Sequence, residues 1–287
     1  MKLAIEPNTY FERFGLDQGA KRVGKRGWEA VCFPISMGPK DPMLDWTDKQ
    51  FDEHYAQLRH TLQKQGLIVP YVWLTETDFA HFSPEIRQKI CRQGVKAAKA
   101  MGAQAVAIRP ATFAGTVLDA WERSKTVTME LAGCLREEAD RQGIRIAFIN
   151  NARRATKFCY GCRPQELLEL CDAFDADVII DPVNAYFAGE RLDEIVSACG
   201  RRMIGFLIKD VELTFKTPHI PIAGALDYNG VLPALAQLPD NVYATMIFTD
   251  IFKRFKKPAD LNESVFDCFE TFIYHVGQCV VGKATKL

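Results

Sequence analysis

The sequence of 287 residues lacks three features that mark whole classes of protein. Its 36 Lys and Arg balance 36 Asp and Glu, so no excess charge favours nucleic acid or an anionic membrane as a partner. No apolar run approaches the ~20 residues that a membrane-spanning helix needs. The first residues, 1–6, are already strand-like and contain no apolar signal-peptide segment. We therefore expect a cytoplasmic protein with neither a membrane nor a nucleic-acid partner.

Histidine is scarce, and the five histidines form no cluster with metal-ligand spacing. The nine cysteines are an odd number in a chain without an export signal, which favours reduced thiols. The motif Cys159-Tyr-Gly-Cys162 supplies only half of a zinc site, and no second pair at matching spacing exists. A thioredoxin-like role would require the motif at a helix start in a different fold. We therefore expect no chemical role for Cys159 and Cys162.

Strand and helix patterns alternate through the whole chain. The eight predicted strands are 3–6, 28–33, 67–74, 104–109, 144–149, 178–181, 203–209 and 242–249. No linker or low-complexity segment interrupts them, so we predict one domain over residues 1–287. An open doubly wound sheet is the competing fold, but it usually has fewer strands and a Gly-rich first turn, which is absent. The pattern favours an α/β fold of the (β/α)8 TIM-barrel type.

Several helix boundaries carry specific signals. Thr47 with Gln50 forms a capping-box pattern, and Ser83-Pro84-Glu85 combines a cap, a first-turn proline and an acid. Pro164 opens a further helix. The first helix is predicted over 16–25, and the helix after the sixth strand is predicted to end at Gly200.

In a TIM barrel the functional site lies at the carboxyl ends of the strands. The polar residues predicted there are Glu6, Arg109, Asn151, Arg153, Asp181, Asn184, Lys209, Asp210, Thr249 and Asp250. Strand ends are normally polar, so each of these residues also has a purely structural interpretation. Aromatic residues near the ends, Trp73 among them, would either stack on a sugar ring or fill the mouth as ordinary core.

Polar motifs follow the last strands in a definite order. The fifth strand's loop contains Arg153 and Thr156, and Asp181-Pro-Val-Asn184 follows the sixth strand. Lys209-Asp210 ends the seventh strand, and the loop after it contains Pro221, Gly224 and Asp227. Over residues 140–250 this order resembles that of the xylose isomerase-like TIM barrels, which include sugar phosphate isomerases and ketose 3-epimerases and carry Asn-Arg-x-Glu-Thr, Asp-x-x-His, His-x-His-x-Lys-Asp and Pro-Gly-x-Gly-x-x-Asp. The amino-terminal half resembles the family only in its strand–helix rhythm.

The resemblance also shows where this chain departs from the family. The positions of the family's metal-binding Glu, His and Glu carry Ile149, Leu207 and Thr249, and Asn184 stands where a nearby His is usual. Asp181 is the retained metal-ligand position. Because Mg²⁺ and Mn²⁺ need several oxygen or nitrogen ligands, we expect no cofactor. Weak binding of a divalent metal at Asp181 is left open.

The resemblance implies an enzyme of sugar (phosphate) isomerase or epimerase descent that acts on a small carbohydrate or sugar acid. Asp181 or Glu6 would be the acid or base, and Lys209 the electrophile or acid. The predicted ligand-binding residues are Arg153, Asn151, Asn184, Arg109, Thr249 and Trp73. The alternative is a non-catalytic ligand-binding or partner subunit of the same fold, and homo-oligomer formation is compatible with both. A nuclease of the endonuclease IV type is disfavoured, since its three-metal site needs many more His and acidic ligands.

Overall fold

The structure, a computed structural model, describes residues 1–37, 42–75, 79, 82–152, 157–211, 218–219, 224–248 and 261–286. Its centre is a sheet of parallel strands. They are β1 (Lys2–Ile5), β2 in two segments (Ala30–Val31 and Phe33–Ile35), β3 (Tyr71–Leu74), β4 (Ala105–Ile108), β5 (Arg145–Ile149), β6 (Asp177–Ile180), β7 (Met203–Ile208) and β8 (Tyr243–Met246). The strands are short, and apart from a polar first residue in β1, β5 and β6 they are largely apolar and buried, as expected where helices cover the outer face of a parallel sheet.

The second strand closes the sheet into a barrel. The order of the others runs β1-β8-β7-β6-β5-β4-β3. The first segment of β2 pairs with β1, and its second segment pairs with β3. Cys32, which separates the two segments, still donates its backbone N–H to Ile5 O at 3.0 Å. The predicted (β/α)8 barrel is therefore confirmed.

Helices surround the barrel. They are α1 (Asn8–Arg26), α2 (Asp48–Lys64), α3 (Pro84–Met101), α4 (Val117–Gln142), α5 (Pro164–Phe174), α6 (Pro182–Ala188), α7 (Leu192–Cys199), α8 (Tyr228–Leu235) and α9 (Glu263–Lys286). In the parts of the chain that the structure describes, every helix is too short or too polar to cross a bilayer. The predicted starts of α2, α3 and α5 are confirmed, and the Thr47–Gln50 capping box forms on both sides.

Two helix predictions need correction. α1 begins at Asn8, eight residues before the predicted start, and Gly15 kinks it with φ 73° and ψ 169°. The segment after β6 holds two helices, since Gly189, at φ 80°, ends α6 and α7 runs on to Cys199. Glycine adopts positive φ without the steric cost that other residues meet, which explains both interruptions.

The apolar side chains form two separate layers. The larger core lies between the sheet and the helices and includes Val72, Phe148, Phe206 and Leu131. The smaller one fills the barrel and contains mostly small or branched residues together with Tyr71 and Trp73. The barrel is consequently a packed core rather than a pore, and a ligand reaches only its mouth.

Candidate ligand site at the barrel mouth

The candidate site lies inside the barrel where the strands end. Side chains of a strand alternate between its two faces. Four residues of the interior layer lie near strand ends: Ala4, Ala107, Ile179 and Leu207. Two positions after each of them stands a charged residue: Glu6, Arg109, Asp181 and Lys209. The alternation therefore brings two acids and two bases to one mouth.

Asp181 is at the centre of this group and is completely buried. Its Oδ1 accepts the backbone N–H groups of Val183 and Asn184 at 3.1 and 3.2 Å, so it caps α6. Its Oδ2 lies 2.6 Å from Lys209 Nζ and 4.0 Å from Arg109 Nη2. The lysine approaches at an angle outside hydrogen-bond geometry, so the contact is an ion pair rather than an aligned hydrogen bond.

Asn150 locks the end of β5 to the end of β6. Its Oδ1 accepts Asp181 N–H at 2.6 Å, and its Nδ2 donates to Asp181 O at 3.0 Å. Asn184 Nδ2 donates to Asn150 O at 2.9 Å. These bonds hold the backbone of Asp181 in place. Asn150 is not among the residues predicted from the sequence, although the Asn-Asn pair after a predicted strand is a usable signal.

Lys209 is positioned by Tyr228. The Tyr228 hydroxyl donates to Lys209 O at 2.6 Å and accepts Lys209 N–H at 3.1 Å. Burial, and to a smaller extent the negative charge of Asp210, raises the pKa of the Tyr228 hydroxyl well above its usual value. The hydroxyl therefore stays protonated and can donate a hydrogen bond. Because this tyrosine hydrogen-bonds both backbone polar groups of Lys209, it fixes the backbone from which the ammonium group extends. Tyr228 is likewise not among the site residues predicted from the sequence.

Glu6, Trp73 and Asn151 line or support the same mouth. Glu6 is 2% exposed, and its Oε1 accepts Asn8 N–H at 3.0 Å at the start of α1. Trp73 is buried in the interior layer beside Tyr71, with ring centroids 6.2 Å apart. Asn151 donates from Nδ2 to Pro110 O at 2.7 Å, so its amide ties the ends of β5 and β4. Arg153 and Thr249, two other predicted site residues, lie outside the described residues.

A small polar network forms the floor beneath the charged groups. Tyr71 Oη and Thr245 Oγ1 lie 2.7 Å apart, and Thr245 Oγ1 donates to Cys32 Sγ at 3.4 Å. Gly205 faces this network, since a Cβ there would lie 2.7 Å from Tyr71 Oη. Burial raises the pKa of the Cys32 thiol to about 12, so it remains a neutral thiol inside the barrel.

Among the residues that the structure describes, those around Asp181 supply too few ligands for a divalent metal ion. Oδ1 is taken by two backbone N–H groups, and Oδ2 faces an ammonium. Ile149 and Leu207 are 0% and 1% exposed and belong to the apolar interior. Among the described residues, no three His, Cys, Asp or Glu side chains are grouped so as to hold a metal. A hard cation needs more oxygen ligands than this arrangement supplies.

Asp210 corrects one of the sequence predictions: although it was expected at the mouth with Lys209, it faces away from it. Its Oδ1 accepts Val211 N–H at 2.8 Å and Leu226 N–H at 3.1 Å, and its Oδ2 accepts Gly224 N–H at 3.0 Å. A Cβ on Gly224 would overlap the Asp210 carboxylate, which explains the glycine. The aspartate therefore fastens the loop before α8, and Asp227 caps that helix by accepting Gly230 N–H at 2.9 Å.

The sequence profile of the xylose isomerase-like TIM barrels matches residues 20–264. The chain belongs to this family. A comparison with curated proteins gives no significant match by sequence. Membership extends the resemblance over most of the chain, including the amino-terminal half.

Solved structures of the same fold include ketose epimerases. D-allulose 3-epimerase from Methylomonas sp. superposes with a TM-score of 0.71 at 14% identity, over 99% of this chain and 98% of that one. A D-psicose 3-epimerase determined in the presence of D-fructose gives 0.72 at 12% identity, over 98% and 100%. The IOLI protein, with a bound zinc atom, gives 0.66 at 16% identity, over 99% and 98%. At such identities the likeness shows the fold alone.

Proposed function

We propose that this protein is a divergent sugar (phosphate) isomerase or epimerase that acts on a small carbohydrate or anionic sugar derivative without the family's divalent metal. The observation that carries the proposal is the Lys209–Asp181 ion pair, 2.6 Å long, at the centre of the mouth. A fixed ammonium stands beside the carboxylate, and Ile149 and Leu207 contribute hydrocarbon to the interior layer. The groups available for catalysis in this mouth are therefore side-chain cations and carboxylates.

These groups suit a proton transfer next to a carbonyl. Isomerisation and epimerisation remove a proton from the carbon beside a carbonyl and return it at another position or on another face. Negative charge then develops on the carbonyl oxygen, and the Lys209 ammonium would stabilise it in a site with little water. Asp181 or Glu6 would accept the proton and return it. The Arg109 guanidinium, close to Asp181, would bind an anionic substituent.

Similar structures support the ligand class. A D-psicose 3-epimerase was determined in the presence of D-fructose, and a D-allulose 3-epimerase in complex with D-allulose. The latter superposes with a TM-score of 0.66 at 16% identity. A small carbohydrate is therefore the first ligand class to test here.

A second candidate function is a non-catalytic ligand-binding or partner subunit. It is favoured by the engagement of both Asp181 oxygens, one by the α6 cap and one by Lys209. It is also favoured by the apolar interior, to which Ile149, Leu207 and Ile247 contribute. In this function the mouth would hold a small molecule without reacting with it.

A solvent-exchange experiment separates these functions. Ketoses, their phosphates and the matching sugar acids would first be screened by thermal shift, since a ligand of the folded state raises the melting temperature. Each stabilising sugar would then be incubated with the protein in D₂O and a metal chelator. The proposal expects deuterium at the carbon beside the carbonyl, with exchange lost in Asp181→Asn or in Glu6→Gln, whichever residue is the base. The matched variant Asp227→Asn, which changes a carboxylate outside the mouth, should retain exchange.

Binding without any deuterium incorporation would overturn the catalytic proposal in favour of the second function. Exchange that chelator abolishes and Mn²⁺ restores would contradict the metal-free part. Equal stabilisation by neutral and anionic sugars would contradict a role of Arg109 and Lys209 in recognising an anion.

A further inference from the structure

The motif Cys159-Tyr-Gly-Cys162 forms a tight turn immediately before α5, in the connection from β5 to α5. Cys159 is 2% exposed and Cys162 is 7% exposed. Cys159 Sγ lies 3.7 Å from Ala152 O, and the Cys159 side chain also hydrogen-bonds the Cys162 sulfur. The single Cys159 proton thus has two acceptors within reach, one of which is the second thiol.

Glu166 holds this turn from the first turn of α5. Its Oε2 accepts Gly161 N–H at 3.0 Å and the Cys162 S–H at 3.8 Å. Its Oε1 accepts the indole N–H of Trp121 at 3.0 Å. Gly161 has φ +89°, and a Cβ there would lie 2.8 Å from Pro110 Cγ. The turn that carries the two sulfurs is therefore held by the bonds of Gly161 and Trp121 to Glu166, to which the Cys162 thiol adds one of its own.

The environment of Cys162 differs from that of the helical thiols. Burial raises the pKa of Cys171 and of Cys199 to about 12. The hydrogen bond from Cys159 is the largest influence on Cys162 and lowers its pKa instead; burial and the Glu166 carboxylate oppose this shift, and Arg163 supports it. Because the thiolate is the reactive form, Cys162 is better prepared for exchange than those thiols.

Contrary to the expectation from the sequence that this pair has no chemical role, we propose that Cys159 and Cys162 form a reversible intramolecular disulfide by exchange with a low-molecular-weight disulfide. The Cys162 thiolate attacks one sulfur of the reagent, forms a mixed disulfide and releases one small thiolate. Cys159, after losing its proton, attacks the Cys162 sulfur, closes the protein disulfide and releases the second small thiolate. The two protein thiols are oxidised, the reagent is reduced to two thiols, and the two protons end on those thiols.

The disulfide would form next to residues at the ends of β4 and β5, which border the mouth. Pro110, against which Gly161 packs, follows Arg109 in the chain and accepts the Asn151 amide at 2.7 Å. Oxidation also removes the Cys159 proton from Ala152 O, the residue after Asn151. The redox state of the pair is thus connected to the ends of β4 and β5.

The test uses the full-length protein in buffers of graded oxidised-to-reduced glutathione ratio, followed by acid quench, alkylation, digestion and mass spectrometry. We expect a peptide linking Cys159 to Cys162, lighter by two hydrogens than the dithiol form, which returns to the dithiol in reduced glutathione. The exposed Cys268 and Cys279 are internal controls that gain glutathione. In Cys159→Ser, Cys162 should stop at the mixed disulfide; in Cys162→Ser, Cys159 should stay unmodified.

Two results would overturn the proposal. One is recovery of Cys159 and Cys162 as free thiols at ratios that modify Cys268. The other is a 159–162 link that appears only in urea. Both are read on the unmutated chain, so they remain decisive if a serine variant does not fold. The double variant Cys268→Ser/Cys279→Ser, which leaves the turn untouched, should form the link at the same glutathione ratio as the parent.

Discussion

Two aspartates close neighbouring strands of the barrel, and both are almost completely buried, Asp181 at 0% exposure and Asp210 at 1%. Asp210 accepts three backbone N–H groups of its own loop region. Asp181 accepts two such groups with one oxygen and turns the other towards Lys209. A buried carboxylate satisfied by backbone donors is part of the fold. A buried carboxylate that faces a side-chain cation in the mouth, as Asp181 faces Lys209, keeps one oxygen for which a ligand can compete with that cation.

This comparison predicts that Asp210 matters more for stability than Asp181 or Lys209. Asp210→Ala removes three acceptor contacts and leaves three N–H groups unpaired, so we expect a loss of about 4 kcal/mol in the free energy of unfolding. Urea denaturation measures it. The matched control is Asp227→Ala, which removes one helix cap and should cost about 1 kcal/mol. Equal losses in the two variants would contradict the special position of Asp210.

A second prediction concerns the ion pair. Lys209→Met leaves the Asp181 carboxylate buried without its nearest cation, and we expect a loss of about 3 kcal/mol. Arg109, at 4.0 Å, compensates only in part. The double variant Asp181→Asn/Lys209→Met removes the charge as well as its partner, so it should be more stable than Lys209→Met alone. Urea denaturation of both variants and of Asp181→Asn completes the cycle.

The cycle has a clear contrary outcome. If Lys209→Met loses less than about 1 kcal/mol, the pair behaves like an exposed salt bridge. If the double variant is less stable than Lys209→Met, the two residues act separately. Either result would remove the distinction drawn between Asp181 and Asp210.

Much of this arrangement followed from local sequence signals. Thr47 with Gln50 and Ser83 with Pro84 predicted helix starts because their side chains act within one turn of the helix. Such signals need no knowledge of distant contacts, and the barrel prediction rested on them. The strand-end rule, in contrast, predicts both Lys209 and Asp210 at the mouth, and the structure corrects this for Asp210, whose carboxylate binds backbone N–H groups of its own loop region.

The parts that the sequence did not predict depend on contacts between distant segments. Asn150 binds Asp181 across 31 positions, and Tyr228 binds Lys209 across 19. Neither residue type is diagnostic alone, so only the folded geometry identifies their roles. The early start of α1 depends on a Gly15 kink that propensity does not reveal. Arg153 and Thr249, in contrast, stay predictions from the resemblance.

The smallest predicted effect is the response to divalent metal. Lys209 already neutralises the one Asp181 oxygen that faces the mouth, and Ile149 and Leu207 contribute no ligand. We therefore expect millimolar Mn²⁺ to leave the melting temperature of the protein unchanged. For comparison, a ligand present at 100 times its Kd would add about 2.7 kcal/mol to stability. Elemental analysis after dialysis should likewise find no stoichiometric metal.

A variant with a designed metal site provides the positive control for the expected lack of response to Mn²⁺. The triple variant Ile149→Glu/Leu207→His/Lys209→Met adds a carboxylate and an imidazole near Asp181 and removes the competing ammonium. We expect Mn²⁺ to raise its melting temperature, because metal binding to the folded state would relieve new buried charge as well as supply binding energy. The variant would be refolded with Mn²⁺ present, since buried carboxylates without a cation are costly. A saturable Mn²⁺ response of the parent protein, or one retained metal per chain, would show that Asp181 serves a metal despite Lys209, and would remove the main difference between this mouth and a metal-dependent one.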